Sequence, residues 1–542
     1  MRKLLTFVAA ISITGSLFAG GLVTNTNQSA MFTRLQNRNA STGIDAVYFN
    51  PAGLTKLGDG LFVSINNQTI SQTKSIVNSY DYLSGTPKEY IGNVSAPLFP
   101  GVYLAYNTGK LSFSVGFNPI GGGGGAKYDK GLPSFEMGIA DIVPGLVSQG
   151  IPTTQYAADI FFEGSSVYFG YQANIGYKIN DMLSVAAGVR LVSAANTYNG
   201  YLRNISINPT YPAFGAAYTG GMVLASDFFN SGATYLNGVS TQLSGTASSL
   251  QPIMDAGYGA TPLSSGTALG LTPTQVATLQ GTVTALGGNP TGMTIAQTQA
   301  FFSGASQTYG GKAAAMTSNE AKTQDIEVDA EQSGTGFTPI ISANFSPSDK
   351  LNISIRYEFQ TKLELKTKVN NNKSGGIFSD GATVIADMPA MLAVGVNYKP
   401  VSNLMLSGSF NYYFDKNVDY DGSESLNVNM INDNFLEYGL GLEYGLSEKL
   451  RVSAGWVATS TGVNLNYQND QEYSTNTNSF GGGFGFRITP KIDLNLGAQY
   501  TFYKEGSKDF SHLLGTIPVT VTETYNKKTW LVGVGLDFYF GK

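Results

Sequence analysis

The sequence contains no cysteine, a single histidine and only two tryptophans. The lack of cysteine excludes disulfide bonds and thiolate metal sites, and it is compatible with an oxidising cell envelope. Only 13% of the 542 residues are charged, whereas soluble proteins carry about a quarter. The net charge of −5 argues against nucleic acid as a partner, because binding to phosphates requires a positive surface.

Residues that could support catalysis are equally scarce. Hydrolytic enzymes generally use a histidine to activate a nucleophile or water, and His512 lies in a predicted external loop, which is typical of a surface residue. The glycine run Gly121 to Gly125 lacks the Lys-Ser/Thr ending of a phosphate-binding loop. The sequence therefore predicts no enzyme, no cofactor and no metal site.

Aromatic residues and glycine are abundant. Tyrosine and phenylalanine each occur 31 times and glycine 66 times, yet the mean hydropathy is only −0.03. A low content of charged residues combined with a mean hydropathy near zero indicates that uncharged polar residues and apolar residues are finely interleaved. A transmembrane β-barrel needs this composition, because one face of each strand meets lipid and the other a polar lumen. A soluble all-β protein is the alternative, and the low charge argues against it.

Apolar and polar residues alternate with period two in many segments of the chain, which indicates β-strands. Apolar residues occupy every second position from Leu351 to Phe359 and from Trp530 to Phe540. Short polar turns alternate with long polar connections, as expected for the two sides of an outer-membrane barrel. We predict an all-β fold, a transmembrane antiparallel barrel of about fourteen strands that begin near residues 60, 98, 110, 165, 182, 335, 350, 383, 403, 434, 449, 478, 491 and 526.

The N-terminus has the three parts of a secretory signal peptide. Arg2 and Lys3 precede an apolar run from Leu4 to Leu17, and Ala19 offers a small-residue cleavage point. An uncleaved anchor is the alternative, but the run is short for a membrane span. We expect residues 1–19 to be removed and the protein to lie in the outer membrane of a Gram-negative bacterium.

Two regions do not follow simple alternation. Residues 20–58, before the first strand, are polar and form either a disordered tail or a plug in the lumen. Residues 199–330 are rich in Ala, Gly, Ser and Thr. Within them Thr272-Pro273-Thr274-Gln275 predicts a capped helix to Leu286, and Thr294 to Phe302 is similar. We expect a partly helical extracellular loop, either a substrate-capturing cap or a variable surface loop.

A motif just before the first strand is distinctive. Asn50-Pro51-Ala52-Gly53-Leu54 combines an extended residue, a fixed turn and two small residues that let the backbone pass close to a wall. With Gly20-Gly21, the stretch Phe113 to Gly121, and Asp387-Met388-Pro389-Ala390 leading to Gly395-Val396-Asn397-Tyr398, it resembles the FadL/TodX family of outer-membrane transporters for long-chain fatty acids and other hydrophobic compounds. The resemblance covers most of the chain except the loop at 199–330.

The resemblance implies a monomeric fourteen-stranded barrel whose N-terminal hatch, here residues 20–58, blocks the lumen. Asn50, Pro51, Ala52 and Gly53 would then seat the hatch against the wall. Extracellular loops would offer a hydrophobic groove, with a deeper pocket at the hatch. A kink in the third strand would open a lateral gap through which substrate leaves.

The third strand itself contains a candidate break. Alternation from Leu111 is regular up to Phe117 and Asn118, and Pro119 then removes a ladder donor before the glycine run that begins at Gly121. One interpretation is an opening in the wall at these four residues. The other is that the strand ends at Phe117 and an external loop begins.

Arginines on the predicted lumen face are candidates for binding a substrate carboxylate, since a guanidinium matches a carboxylate bidentately. They are Arg190, Arg356 and Arg487 on strands, with Arg34 and Arg38 in the hatch. The alternative is an internal ionic network that holds the hatch.

The preferred function is passive uptake of hydrophobic small molecules, with long-chain fatty acids as the default substrate, by a monomer that contacts outer-membrane lipid. The second hypothesis is a surface adhesin or structural barrel that acts through its long loop.

Overall fold

The structure is a computed structural model that describes residues 29–371, 373, 376–418 and 430–541. The proposed signal peptide, residues 1–19, and residues 20–28 of the proposed hatch lie outside the described residues.

Fourteen long antiparallel strands close into a barrel, as the sequence predicts. Each strand pairs with its neighbours in chain order, and the last pairs with the first from Gly60 opposite Gly541 to Asn78 opposite Glu523. The strands are β1 (Gly60–Asn78), β2 (Lys88–Thr108), β3 (Leu111–Tyr128), β4 (Tyr156–Lys178), β5 (Leu183–Ile207), β6 (Ile326–Ser348), β7 (Leu351–Glu358), β8 (Met391–Val401), β9 (Leu404–Tyr413), β10 (Leu436–Gly445), β11 (Leu450–Ser460), β12 (Thr477–Thr489), β13 (Ile492–Tyr503) and β14 (Ile517–Gly541).

The predicted faces are observed. On β14, Trp530 is 48% exposed on the outside, whereas the next residue, Leu531, is 1% exposed on the inside. The same alternation continues to Phe540, and large apolar side chains point outward from the other strands. A belt of exposed apolar side chains around a closed barrel is the surface that a bilayer requires.

Several strands begin up to ten residues away from their predicted starts. Strands predicted at 98, 165, 335 and 526 begin at 88, 156, 326 and 517. Hydrogen bonding continues through these extensions, in which apolar residues such as Ile160, Ala330 and Val521 are buried on the inner face, opposite to the lipid-facing alternation that marks the membrane level. The strand predicted at 383 begins at Met391; Thr383–Ile385 instead pairs with Glu364–Val369 in a separate hairpin. Further short strands are Val223–Leu224 and Gly506–Leu514.

Helices occupy the connections and the N-terminal segment. They are α1 (Ala30–Arg34), α2 (Ala46–Phe49), α3 (Pro133–Ala140), α4 (Ile142–Ser148), α5 (Ala225–Ser249), α6 (Gln251–Asp255), α7 (Pro273–Ala285) and α8 (Ile295–Lys322), with 3-10 turns at Pro51–Lys56, Pro212–Phe214, Leu263–Leu269 and Asp415–Asn417. Within the described ranges, none of the helices has both the length and the apolarity to cross a membrane.

The long connection between β5 and β6 is a helical insert, residues 208–325, somewhat shorter than the predicted 199–330. Thr272 and Gln275 form the predicted capping box at the start of α7, and Thr294 and Gln297 form another at α8. Helix α8 is longer than predicted, with 28 residues, because it packs along α5. A separate apolar core, which includes Leu263, Val283 and Phe302, holds the insert together.

Candidate functional site

The N-terminal segment 29–58, called the hatch segment below, contacts inward-facing side chains on strands from around the barrel. Asn39 Nδ2 donates to Asn411 Oδ1 on β9 at 2.8 Å. Gln172 Nε2 on β4 donates to the Val47 carbonyl at 2.9 Å. Helix α1 packs against β13 and β14, and nearly all residues from 29 to 54 are buried. The segment therefore packs against the inner wall through specific polar contacts.

Glycines on the wall allow the backbone of the hatch segment to approach closely. A Cβ on Gly395 of β8 would lie 2.3 Å from the backbone nitrogen of Ala40, and one on Gly497 of β13 would lie 2.5 Å from that of Arg34. These neighbours are backbone atoms, so neither clash can be relieved by rotating a side chain. The glycines on the inner wall thus determine how near the segment can lie.

Gly395→Ala should therefore loosen the hatch segment. We expect faster proteolytic cleavage within residues 29–58 in folded barrels, because the added methyl group displaces the backbone near Ala40. Gly408→Ala on the neighbouring strand β9 is the matched control, since its Cβ would meet nothing closer than 3.7 Å. Equal cleavage rates in the two variants would show that this close approach is unimportant.

Asn50 and Gly53 of the predicted hatch motif make buried contacts. The Asn50 amide donates to Asn344 Oδ1 on β6 at 2.7 Å and to the Ser41 carbonyl at 2.9 Å. Any side chain on Gly53 would collide with these groups, because its Cβ would lie 2.4 Å from Asn50 Nδ2. Asn50 therefore links the segment to the wall, and Gly53 leaves room for that link.

Pro51 and Ala52 continue the contact with the wall. Pro51 begins the 3-10 turn, where a missing N–H costs nothing. The Ala52 amide donates to Ser342 Oγ at 3.1 Å, and its carbonyl accepts from Ser184 Oγ at 2.7 Å. The motif thus touches β5 and β6, although its role in seating a hatch stays a prediction.

The two arginines of the hatch segment are paired with carboxylates of the protein. Arg38 donates to both oxygens of Asp45 at 2.8 and 3.0 Å. Burial acts to lower the pKa of the Arg38 guanidinium, but attraction to Asp45 outweighs it and the pKa is raised. Arg34 lies 2.5 Å from Glu443 on β10 and also donates to Ser453.

The arginines predicted on the strands are paired as well. Arg190 contacts Glu358 at 2.7 and 3.0 Å, and Arg356 approaches the same carboxylate at 3.3 Å. Both guanidinium groups lie over the Tyr48 ring of the hatch segment, at 4.8 and 5.2 Å from its centroid. The two guanidinium groups, the Glu358 carboxylate and the Tyr48 ring thus form a buried contact between the wall and the hatch segment.

Arg487 lies apart from the other four, near the end of β12 that precedes a short turn. It contacts Asp493 at 2.9 Å and its side chain is 47% exposed. A substrate carboxylate at any of the five arginines would have to displace a carboxylate of the protein. This geometry favours the internal network, while substrate binding by these arginines stays a prediction.

The barrel wall is interrupted between β2 and β3. The two strands are paired from Thr108 opposite Leu111 to Val102 opposite Phe117. They pair again only from Val94 opposite Ala126 to Gly92 opposite Tyr128. Residues 95–101 and 118–125 therefore share no ladder, and we call this interval the wall break. Strand β3 continues to Tyr128 and stays paired with β4, with register shifts at Pro119 and Gly121. The interpretation that the strand ends at Phe117 is wrong.

The β2 side of the wall break was not predicted. Pro97 and Pro100 have no N–H group to donate to β3. On the other side of β2, a bulge places the two residues Pro97 and Leu98 opposite the single residue Thr69 of β1. The signal was present in the sequence, since Ser95-Ala96-Pro97-Leu98-Phe99-Pro100-Gly101 places two prolines within one strand. The alternation instead predicts a strand that begins near residue 98, within this proline-containing stretch.

A cavity of about 750 Å³ joins the hatch segment to the wall break. Its lining includes Phe32 of α1 and the inward-facing Glu437 of β10. It also includes Phe117 and Phe169, which have outward parity on β3 and β4, and Leu98, which is 77% exposed in the bulge. The cavity thus extends from the interior to the outer face of the wall.

A small hydrogen-bonded cluster lies at the end of the barrel that carries the long connections. His512, predicted as a surface residue, has a side chain only 19% exposed and contacts both Asp141 oxygens at 2.9 and 3.0 Å. Tyr80 donates to the same carboxylate, and burial together with Asp141 raises the pKa of Tyr80. This cluster ties α3 and α4 to the loop after β1 and to the hairpin at Gly506–Leu514.

Comparisons with known proteins agree with this architecture. The structure is similar to that of a Pseudomonas aeruginosa FadL homologue, with a TM-score of 0.55 at 13% identity over 96% of this chain and 99% of that chain. The toluene transporters TodX of P. putida and TbuX of Ralstonia pickettii give TM-scores of 0.46 and 0.44 at 12% and 13% identity. The former match covers 93% of this chain and 95% of the other, the latter 96% and 99%.

No protein-family model matches the sequence, and no curated protein is significantly similar to it. The likeness to the FadL homologue is therefore one of fold. The resemblance to the FadL/TodX family that the motifs indicated is confirmed at that level.

Proposed function

We propose that the protein is an outer-membrane channel of a Gram-negative bacterium for passive uptake of hydrophobic small molecules, with long-chain fatty acids as the default substrate. The observation that carries the proposal is the cavity that reaches from the hatch segment to the wall break. The fold shared with the FadL homologue, together with the motifs that resemble the FadL/TodX family, supports this proposal.

The proposed route begins at the extracellular end and ends in the lipid layer. An apolar molecule that enters the cavity leaves water, which contributes about 0.8 kcal/mol for each buried CH₂ group. The hatch segment obstructs the direct path toward the short-turn side. The wall break then offers a lateral exit between β2 and β3, and no energy input is needed because the released molecule enters the apolar interior of the bilayer.

Closing the wall break should abolish this transfer. The variant replaces residues 118–122 with an alternating Ser-Val-Ser-Val-Ser strand and both Pro97 and Pro100 with threonine, and uptake of labelled oleate into vesicles that contain the purified protein is measured. We expect uptake to fall to the level of protein-free vesicles, because β2 and β3 can then pair along their length. Undiminished uptake by a folded variant would contradict the proposal.

The second candidate function is a surface adhesin or structural barrel. The observation that favours it is the helical insert, which has its own apolar core and needs no barrel residue to complete it. Replacing residues 208–325 with a short Gly-Ser linker separates the two functions. If oleate uptake stays intact and binding to matrix proteins is lost, the result favours the adhesin. If oleate uptake stays intact and binding to matrix proteins does not change, the result favours the channel.

A further inference from the structure

Two lysines face each other across neighbouring strands inside the cavity. Lys74 of β1 and Lys527 of β14 are direct register partners. Both have inward parity, and both line the cavity above the hatch segment. Neither residue belongs to the ionic network of the five arginines described above.

Placing two cations directly opposite each other on adjacent strands is unfavourable. Lys527 Nζ donates to the Tyr473 carbonyl and lies 4.2 Å from the centroid of the Tyr473 ring, which offsets part of the cost. Within the described part of the chain, Lys74 makes no hydrogen bond and no ion pair within 4.0 Å. Its ammonium group is therefore available to a ligand.

Two carboxylates of the protein line the same cavity as these lysines, Glu437 of β10 and Glu472. Glu472 lines it and accepts a hydrogen bond from Tyr467 at 2.6 Å, but it is not within 4.0 Å of either ammonium nitrogen. Glu437 accepts a hydrogen bond from Asn411 at 2.7 Å, and neither carboxylate forms an ion pair with the two lysines. An anion between the lysines would turn a repulsive pair into two attractive contacts.

We propose that Lys74 and Lys527 bind the anionic head group of an amphiphile, a carboxylate being the simplest case. This inference rests on the proposed function and assigns the head group to lysines rather than to the predicted arginines. Each of those arginines already holds a carboxylate, whereas Lys74 holds none.

The position of the lysines directs the tail toward the exit. Lys74 lies four residues from Ile70, the partner of Ala96 within the wall break. At about 3.3 Å per residue the separation is about 13 Å along the strand. Ile70, Phe99 and Phe117 line the cavity over this interval, so a head group at the lysines places an apolar tail against them.

The test compares two ligands that differ only in head-group charge. Equilibrium binding of labelled palmitate and of labelled hexadecanol is measured on the full-length protein in zwitterionic-lipid nanodiscs. The variant is Lys74→Gln with Lys527→Gln. The matched control is Lys350→Gln with Lys399→Gln, two exposed lysines at the turn ends of β6–β7 and β8.

We expect the cavity variant to bind palmitate at least about tenfold more weakly, since charged hydrogen bonds of about 1.5–3 kcal/mol are lost. Hexadecanol binding should be unchanged, and the control should match wild type for both ligands. An equal loss for both ligands, or no loss for palmitate, would overturn the lysine assignment alone. Failure of the wild type to bind either ligand would overturn the proposed function together with it.

Discussion

Protein that lacks residues 29–58 should conduct ions as an open pore, with a single-channel conductance severalfold above that of the complete chain. A closed fourteen-stranded barrel encloses a lumen, and the hatch segment packs against its inner wall on β4, β6, β9 and β14. Strand β1 begins only at Gly60, so the deletion leaves every wall strand intact. Planar-bilayer recordings of the purified protein measure the difference.

The control for this deletion is the variant without residues 208–325. It removes about four times as many residues, but from the helical insert, and its conductance should stay as low as that of the complete chain. If the variant without 29–58 also stayed closed while folded, the hatch segment would not be what obstructs the lumen.

Glu358→Gln should lower the free energy of unfolding by about 3–5 kcal/mol, the usual cost of removing one partner from a buried ion pair. Glu358 is buried and serves both Arg190 and Arg356, so the substitution leaves two buried cations beside the Tyr48 ring. Both cations contact the hatch segment, and we expect that segment to loosen as well. Urea titration of the protein in lipid vesicles measures the change.

A matched control is available in the exposed pair between Arg203 and Glu327, whose side chains are 40% and 30% exposed. Glu327→Gln should cost no more than about 1 kcal/mol, since water screens such pairs. Similar urea midpoints for the two variants would show that the buried network contributes little to stability.

The barrel was predictable from the sequence because its period-two alternation reports which face meets lipid. The residues from Trp530 to Phe540 show both faces directly. Strand ends were less predictable, because extensions such as Lys88–Val94 continue beyond the lipid-facing alternation and bury their apolar residues, here Tyr90 and Val94, on the inner face. The same reasoning explains the length of α8, which depends on packing against α5 rather than on its own sequence.

The site was only partly predictable. Proline and glycine mark the wall break on β3, since both are unfavourable in a regular ladder. The cation pair was not recognised, because Lys74 and Lys527 are far apart in sequence and meet only through the register that closes the barrel. Ion-pair partners such as Glu358 for Arg190 likewise depend on strand neighbours that no local pattern specifies.

A single cysteine at the wall break tests the account most directly, because the chain has no cysteine of its own. Leu98→Cys lies 77% exposed in the β2 bulge and lines the cavity, so a bulky methanethiosulfonate adduct there should obstruct the exit. Leu104→Cys, on the same strand where β2 and β3 are paired, is the control.

The measurement is the uptake of labelled oleate into vesicles before labelling, after complete labelling, and after reduction of the adduct. We predict that labelling at position 98 blocks uptake, that dithiothreitol restores it, and that labelling at position 104 changes nothing. Full uptake with a completely labelled cysteine at position 98 would contradict the lateral route.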